Sequence, residues 1–333
     1  MSEMEDGEVA LSEGEETVNE GGGEGVEENM TEKEDTMEPC PLTQDMITQG
    51  LSMLCHTGSG LAHAFVKLEL KDKRLTDIAL VRSFVHVRFL DVSSNHLSDL
   101  SPLAALAQLL WLKCDGNKVP GFKGQPLGQL MHLQWLSLAL NHLKDLEGLE
   151  GVGLESLNLT GNRIQRVSGL QYHRLTNLVT LELRGNKLET TDGIHLPNLR
   201  QLYLAQNIIK HLEGLDKLER LTTLHLRDNQ LTTLDGISPN MKSLQYLNVR
   251  GNLVFSQRGL QSLVGVSRSL RVLVLMENPV VEMEDYRVLV LTHLPLLECL
   301  DKEPVSPEEK TEAHEKLRGF SDEEAAVTEP EDN

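Results

Sequence analysis

The side chains best suited to binding chemistry are a set of aromatic residues and arginines that recur at similar intervals along the chain. Phe89, Trp111 and Trp135 are separated by 22 and 24 residues, and the sequence has no other tryptophan. Aromatic rings and guanidinium groups dominate the energetics of protein–protein interfaces. A second group lies further along the chain and consists of Arg184, Tyr203, His225, Arg227, Tyr246 and Arg250. We therefore predict a protein-binding surface, provided that the fold brings these nine residues to one face.

Residue patterns for other kinds of chemistry are missing from the sequence. There is no Walker-type phosphate loop, no HExxH metal motif and no cluster of cysteine and histidine. The 12 histidines are dispersed, and Gly58-Ser59-Gly60 is a lone glycine turn that we place between a capping helix and the first strand. No nucleophile, base and orienting group can be placed together. The prediction is a protein without enzymatic activity, cofactor, metal site or small-molecule substrate.

Nine asparagines follow one another at intervals of 21 to 26 residues. Each is preceded by aliphatic or equivalent residues eight, five and three positions earlier, and the clearest example is LVTLELRGN at residues 178–186. Self-similarity at this period indicates a repeat architecture, in which each repeat packs on its neighbours. The asparagines are Asn95, Asn117, Asn141, Asn162, Asn186, Asn207, Asn229, Asn252 and Asn278.

The pattern L-x-x-L-x-L-x-x-N is typical of leucine-rich repeats. Side chains alternate along a strand, so both leucines of L-x-L point to one side, into a core. Asparagine ends each strand because its amide has donors and an acceptor for backbone groups of the turn. A repeat of about 22 residues leaves room for only a 3₁₀ turn or a short helix on its outer side. We predict an α/β leucine-rich-repeat solenoid, or horseshoe, with a parallel concave sheet and short helices or 3₁₀ turns on the convex side.

This repeat brings the aromatic residues and arginines to one face of the predicted sheet. Positions six, four and two residues before each asparagine alternate with the buried leucines and therefore face solvent on the concave side. Phe89, Trp111 and Trp135 fall at the first of these positions on adjacent strands, which predicts a continuous aromatic strip. The three arginines fall at the third position, near the tyrosines and the histidine of the second group. The alternative is that these residues only favour strand formation and that an N-terminal cap covers the strip.

Both ends of the solenoid are predicted to be closed, because an end repeat would otherwise expose its apolar face. At the N-terminal end we expect a helix from Thr43 to Cys55, followed by a degenerate repeat in which Phe65, Leu68 and Leu70 point inward. The C-terminal end carries a cap motif around LPLLECLD at residues 294–301. The predicted segments are residues 41–85 for the N-terminal cap and degenerate repeat, 86–278 for nine repeats, and 279–303 for the C-terminal cap.

The net charge of −20 is carried by the two ends of the chain. Residues 1–39 hold 15 acidic residues and one lysine, and residues 301–333 hold 12 acidic and four basic residues. We predict a disordered acidic tail over residues 1–40 and a second acidic tail over residues 304–333, with a short solvated helix from Ser306 to about Arg318. The body between them is close to neutral, so it has no general attraction for nucleic acid or an anionic membrane.

The cysteines and the N-terminal residues predict an intracellular location. Cys40, Cys55, Cys114 and Cys299 are widely scattered, without the paired spacing of a disulfide framework. The chain starts with MSEMEDGE, which lacks the basic and apolar regions of a secretory signal, and no apolar run is long enough to span a membrane. Cys114 fills an inward leucine position, where we expect an inert core thiol.

Several stretches carry a more specific resemblance, because they include surface positions that the fold does not dictate. They are PLTQDMITQGLSMLCHTGSGLAHAFVKLELKDKRLTDIALVRSF at residues 41–84, DVSSNHLSDLSPL at 91–103, LYLAQN at 202–207 and MKSLQYLNVRGN at 241–252. Together with LPLLECLDKE at residues 294–303, they resemble a family of radial-spoke leucine-rich-repeat proteins of cilia and sperm flagella. The resemblance implies a structural adaptor of the axonemal cytoskeleton that binds other spoke proteins and is needed for motility. It offers no catalytic residues.

Two other functions remain open for a short intracellular leucine-rich-repeat protein. One is a regulatory or targeting subunit of a protein phosphatase, which would use the same concave face. The other is an adaptor in RNA splicing, against which the lack of a basic cluster argues. Co-purification with a phosphatase catalytic subunit would favour the first, and nuclear staining would favour the second.

Overall fold

The apolar periodicity of the chain produces a thirteen-stranded sheet in the computed structural model, which describes residues 38–58 and 60–327. The predicted N-terminal tail up to residue 37, and residues 328–333 of the predicted C-terminal tail, lie outside the described residues. The strands are β1 (Leu51–Thr57), β2 (Ala62–Glu69), β3 (Phe89–Asp91), β4 (Trp111–Lys113), β5 (Trp135–Ser137), β6 (Ser156–Asn158), β7 (Thr180–Glu182), β8 (Gln201–Tyr203), β9 (Thr223–His225), β10 (Tyr246–Asn248), β11 (Val272–Val274), β12 (Cys299–Leu300) and β13 (Glu303–Pro304).

The strands stack in sequence order, and each repeat contributes one of them. Neighbours from β2 to β12 are parallel, whereas β1 and β13 pair antiparallel with β2 and β12. The leucines align from strand to strand, as in the pairing of Leu181 with Leu202 and of Leu202 with Leu224. The predicted leucine-rich-repeat solenoid is confirmed, and its parallel sheet extends by one strand beyond the nine repeats at each end.

The outer side of the solenoid consists of short crossover segments, as the repeat length predicts. Among the described residues, α-helices occur only near the two ends: α1 (Gln44–Gly50), α2 (Tyr286–His293) and α3 (Pro307–Val327). The 3₁₀ helices cover Ala79–Ser83, Ser101–Ala105, Pro126–Gln129, Tyr172–Arg174, Leu215–Lys217, Gln257–Val266 and Pro279–Glu282.

The nine repeat asparagines form a buried ladder beside the leucine core. The Nδ2 of Asn207 donates to the carbonyl oxygens of Leu183, Leu204 and Ala205 at 2.9, 3.0 and 3.3 Å. Its Oδ1 accepts from the backbone N–H of Leu188 at 3.0 Å. Each amide therefore joins two repeats and satisfies backbone groups that would be costly to bury without partners. This ladder fixes the register of the strands, and with it the residues that face solvent.

The N-terminal cap differs from the prediction, because the helix that was expected to reach Cys55 ends at Gly50. Residues after it form β1, the outer strand of a hairpin with β2. Gly50 makes this packing possible, since a Cβ there would meet the carbonyl oxygen of Glu69. The apolar residues Leu51, Met53 and Leu54 fit a helical face as well as a strand, so the sequence pattern alone does not distinguish the two. Gly58 and Gly60 therefore lie in the hairpin turn rather than between a helix and the first strand.

The hairpin also changes which side chain of the degenerate repeat points inward. Val66, Leu68 and Leu70 are buried, whereas Phe65 is 44% exposed. Phe65 pairs with Leu54 of β1 and therefore belongs to the opposite side of the hairpin. The prediction for Phe65 is wrong because β2 is longer than the strand of a regular repeat, so side-chain alternation continues through it.

The helix after the C-terminal cap is longer than the short helix that the sequence predicts, although most of its side chains up to Arg318 are exposed, as expected. It begins at Pro307 as predicted, but it continues to Val327. Ala313 is buried in the core cluster, and Glu309 and Lys316 form ion pairs with Arg287 and Asp285 of the α2 region at 2.6 Å each. The helix therefore packs against the cap instead of leaving it.

Candidate functional site

The face that the sequence predicts for binding is formed by alternate residues of the parallel strands. In β4, β7 and β8, for example, the middle leucine is buried and both flanking side chains are half-buried. Because the ladder holds neighbouring strands in register, equivalent side chains form columns across the sheet. All nine predicted residues lie in these columns. We call this solvent-facing side of β2 to β12 the concave face.

The two tryptophans meet on this face. The rings of Trp111 and Trp135 stack in parallel planes, with centroids 4.6 Å apart and an angle of 8° between them. Phe89 pairs with Trp111 in the strand register, one strand closer to the N-terminus. All three side chains stay half-buried in the part of the chain that the structure describes, so solvent reaches them.

A second aromatic group lies further along the sheet. The imidazole of His225 is stacked between the rings of Tyr203 and Tyr246, with centroids 4.8 Å apart and angles of 26° on both sides. Tyr246 occupies a different column from the other two, and it reaches His225 diagonally across the sheet. The sequence places these three residues near one another, but the three-ring stack is a finding of the structure.

Burial sets the protonation of this second group. It lowers the pKa of His225, which is therefore neutral at physiological pH. It also raises the pKa of Tyr203, and the nearby Glu182 carboxylate and Tyr246 add to the increase. A neutral imidazole between two phenol rings presents flat apolar surface with polar edges, which suits contact with a protein side chain.

Each of the three arginines lies close to a polar side chain. The Arg184 Nε donates to the Oε1 of Gln206 at 3.0 Å. Arg227 lies 3.2 Å from the carboxylate of Asp228, its neighbour in the chain.

The third arginine is tied to the following repeat. The Nη2 of Arg250 donates to the Oε1 of Glu277 at 2.5 Å, and this contact lowers the pKa of Glu277. Arg184 and Arg250 thus each donate to a side chain of the following repeat, and Arg227 forms a partly exposed ion pair with Asp228.

One group on this face was not singled out from the sequence. Glu182 projects from β7 between the two aromatic groups and is half-buried. Burial raises the pKa of this carboxyl, and the negative charge of Asp115 adds to the effect. Nothing in the repeat pattern distinguishes Glu182 from the other solvent-facing residues. Glu182 is distinguished only by the contacts that its neighbours make with other residues.

Other kinds of site are not found among the described residues. Histidine, cysteine, aspartate and glutamate side chains there form no group of three or more that could hold a metal ion. No helix in this part of the chain is both long and apolar enough to cross a membrane. Cys114 is buried, as expected, and its pKa is raised because burial disfavours the thiolate.

Comparison with known proteins agrees with this architecture. Residues 159–328, about half of the chain, match a family model described as leucine-rich repeat. Leucine-rich repeat-containing protein 23 from Bos taurus is 50% identical over 275 residues, which cover 83% of this chain and 79% of that protein. Its counterpart from Homo sapiens is 48% identical over 293 residues, covering 88% of this chain and 84% of that protein. The chain belongs to the leucine-rich repeat-containing protein 23 family.

Solved structures with a similar backbone support the fold alone. One chain of a TLR13–ssRNA13 complex superposes with a TM-score of 0.58 at 23% identity, over 72% of this chain and 36% of that chain. A chain from the complex of Latrophilin 3, Unc5D and FLRT2 gives a TM-score of 0.51 at 24% identity, over 63% of this chain and 74% of that chain. Family and fold together assign the chain to the leucine-rich-repeat proteins, which act through protein–protein interaction.

Proposed function

We propose that this chain is a non-enzymatic structural adaptor of the ciliary or sperm flagellar axoneme. In this role it is a component of the radial spoke that is needed for motility, and it binds other spoke proteins through its concave face. The resemblance of the chain to radial-spoke proteins motivates the location. The structure supports the binding mode, since a repeat scaffold offers a long, rigid surface on which side chains are fixed before a partner arrives.

The observation that carries this proposal is the pair of aromatic groups on the concave face. Trp111 and Trp135 stack and stay partly exposed within the described part of the chain, and three more rings stack further along the same sheet. The leucines already form the core, so partly exposed aromatic rings on the solvent-facing side are not needed to fill it. Rigid aromatic side chains are also the residues that most often anchor a partner.

Two experiments test the proposal. Immunolocalisation in ciliated cells and sperm is expected to give a signal along the axoneme, whereas a diffuse cytosolic signal contradicts the axonemal role. For the binding face, the double variant Trp111→Ala/Trp135→Ala is compared with the full-length wild-type chain in pull-downs from salt-extracted axonemes. The expected result is the loss of at least one radial-spoke protein from the captured set.

A matched variant controls for the removal of an aromatic side chain. Tyr172 lies in a crossover 3₁₀ helix and is 53% exposed, so Tyr172→Ala is expected to leave the captured proteins unchanged. Equal capture by wild type and by the tryptophan variant contradicts the proposed face. Capture of a phosphatase catalytic subunit instead of spoke proteins supports the phosphatase alternative.

A further inference from the structure

The carboxylates of the concave face differ in whether they have a partner. Five of them lie in the solvent-facing columns within the described residues. Glu69 forms an ion pair with Lys67 at 2.7 Å. The Oδ1 of Asp91 accepts from the hydroxyl of Ser93 at 2.6 Å. In both cases the negative charge is held by a neighbour on the same strand or in the turn after it.

Two more carboxylates accept several hydrogen bonds each. Asp115 accepts from the hydroxyl of Ser137 and the backbone N–H of Ala139, at 2.5 and 2.9 Å. Asp301 accepts from two backbone N–H groups and from the hydroxyl of Tyr286. The fifth, Glu182, has no hydrogen-bond donor and no ion-pair partner among the residues that the structure describes.

The surroundings of Glu182 suit a positive charge. Its strand neighbour on one side is Asn158, whose Oδ1 already accepts from Thr160, and on the other side is Tyr203, the first ring of the three-ring stack. Arg184 is the next solvent-facing residue on the same chain segment, but its Nε is directed to Gln206. A half-buried carboxylate beside an aromatic ring attracts a cation both by charge and through the ring face.

We propose that the concave face binds a segment of a protein partner that places a lysine or arginine side chain on Glu182. This inference rests on the proposed function, because it names the chemistry of the partner at the same face. The distance from β4, which carries Trp111, to β10, which carries Tyr246, is about 29 Å at the usual spacing of strands. A helical segment of about 19 residues spans that distance, so its basic residue lies near its middle and its two ends contact the aromatic groups.

The experiment selects peptides without assuming which partner is bound. Random 20-residue peptides displayed on phage are selected on the full-length chain and counter-selected on Trp111→Ala/Trp135→Ala, which leaves the peptides that need the concave face. The expected peptides share a lysine or arginine at one aligned position. Synthetic copies are then titrated against wild type, Glu182→Gln and Glu182→Lys. The matched control is Glu219→Gln, which removes the same charge from an exposed position in a crossover.

We expect Glu182→Gln to weaken binding about tenfold, as for the loss of one charge-assisted contact, and Glu219→Gln to leave it unchanged. A peptide whose basic residue is replaced by glutamate is expected to bind Glu182→Lys better than wild type. Peptides that need the tryptophans but share no basic position, or that bind Glu182→Gln as tightly as wild type, overturn the inference and leave the proposed face standing. If no peptide depends on the tryptophans, the inference and the proposed face both fail. Circular dichroism confirms that each variant is folded.

Discussion

The two ends of the sheet are closed in different ways. At the N-terminal end, helix α1 and the β1–β2 hairpin pack Ile47 and Leu68 into the core, and β1 contains no aspartate, glutamate, lysine or arginine. Its outward side chains remain open to solvent: Met53 is 53% exposed and Leu54 is 59% exposed. This end is held in place by apolar burial, which depends little on pH or salt.

The C-terminal end is closed by polar contacts. The Oδ1 of Asp301 accepts from the backbone N–H groups of Leu275 and Met276 at 2.6 and 3.0 Å, and its Oδ2 accepts from the hydroxyl of Tyr286 at 2.8 Å. Leu226 occupies the position in its repeat that Leu275 occupies here. Its backbone N–H donates to the backbone carbonyl oxygen of Asn248 in the next strand, whereas the N–H of Leu275 donates to the Asp301 carboxylate. The Asp301 carboxylate thus takes the place of a backbone carbonyl at the point where β12 ends.

Helix α3 adds a second polar layer at this end. Arg287 donates from Nε to Glu309 at 2.6 Å and from Nη1 to the carbonyl oxygen of Leu300 at 3.2 Å. Glu309 also accepts from the backbone N–H of Ser306 at 2.8 Å, which ties the start of the helix to the same contact. We therefore expect substitutions that remove apolar volume to destabilise the N-terminal end most. At the C-terminal end, substitutions that remove a charged side chain should have the larger effect.

The largest expected effect is the removal of apolar volume at the N-terminal end. Leu68 is fully buried, so Leu68→Ala is expected to lower the free energy of local opening of β1 and β2 by about 3 kcal/mol. Native-state hydrogen exchange measures that opening, because the end of a repeat array can unfold by itself. The control is Leu54→Ala on the exposed side of the hairpin, for which a change below about 0.5 kcal/mol is expected. A similar loss of opening free energy in both variants would contradict the conclusion that apolar burial holds the N-terminal end in place.

The next effect is expected from the carboxylate that closes the C-terminal end. Asp301→Ala leaves two backbone N–H groups and one tyrosine hydroxyl without their acceptor, so it is expected to cost about 2–3 kcal/mol in the local opening of β11 and β12. The variant Tyr286→Phe removes one of the three donors and should cost about 1 kcal/mol. Hydrogen exchange at β11 reports both. If the two variants cost the same, the backbone contacts of Asp301 contribute nothing.

The repeat could be predicted in detail from the sequence because one physical requirement recurs in every turn of the solenoid. Each L-x-L must point into the core, and each asparagine must satisfy buried backbone groups, so residue type and structural position are tightly linked. The same link places all nine predicted residues in the columns of the concave face. The ends lack it. Residues 51–57 have an apolar pattern that fits a helix as well as a strand, and only the partner strand β2 decides between them.

The contacts within the candidate site could be predicted only in part, for a related reason. Register aligns Trp111 with Trp135, so their proximity follows from spacing. The contact of His225 with Tyr246 runs diagonally between columns, and the pairing of Arg250 with Glu277 depends on rotamers of long side chains. Glu182 has no signal of its own, since its lack of a partner is a property of its neighbours.

A smaller effect is expected from the arginine that holds α3. Arg287→Met keeps much of the apolar stem and removes the charge, so it is expected to reduce the protection of α3 by about 1 kcal/mol. Hydrogen exchange at α3 amides is the measurement, with β4 to β8 as the internal control that should not change. Loss of protection across the whole sheet would contradict the view that α3 is a local polar layer.

Acid is expected to act on the same contact with a smaller effect. Hydrogen bonding from Arg287 lowers the pKa of Glu309 below its ordinary value of 4.5. A group with a lowered folded-state pKa stabilises the fold above its unfolded pKa and loses that contribution as the pH falls through the folded pKa. Protection of α3 should therefore decline below about pH 4.5, after correction for intrinsic exchange rates, and the variant Glu309→Gln should lack this decline. An equal decline in both would assign it to other carboxylates.

The smallest expected effect concerns the backbone of the open end. Met53 has a φ of 56°, in the left-handed region, in the middle of β1, and its side chain is mostly exposed. A non-glycine residue in this region carries a conformational cost that glycine does not, although glycine also gains entropy in the unfolded chain. Met53→Gly is therefore expected to stabilise the hairpin by about 0.5 kcal/mol, whereas Met53→Val should destabilise it, since β-branched residues avoid positive φ. Hydrogen exchange at β2 distinguishes the two directions, and destabilisation by glycine would mean that the Met53 side chain contributes packing to this end.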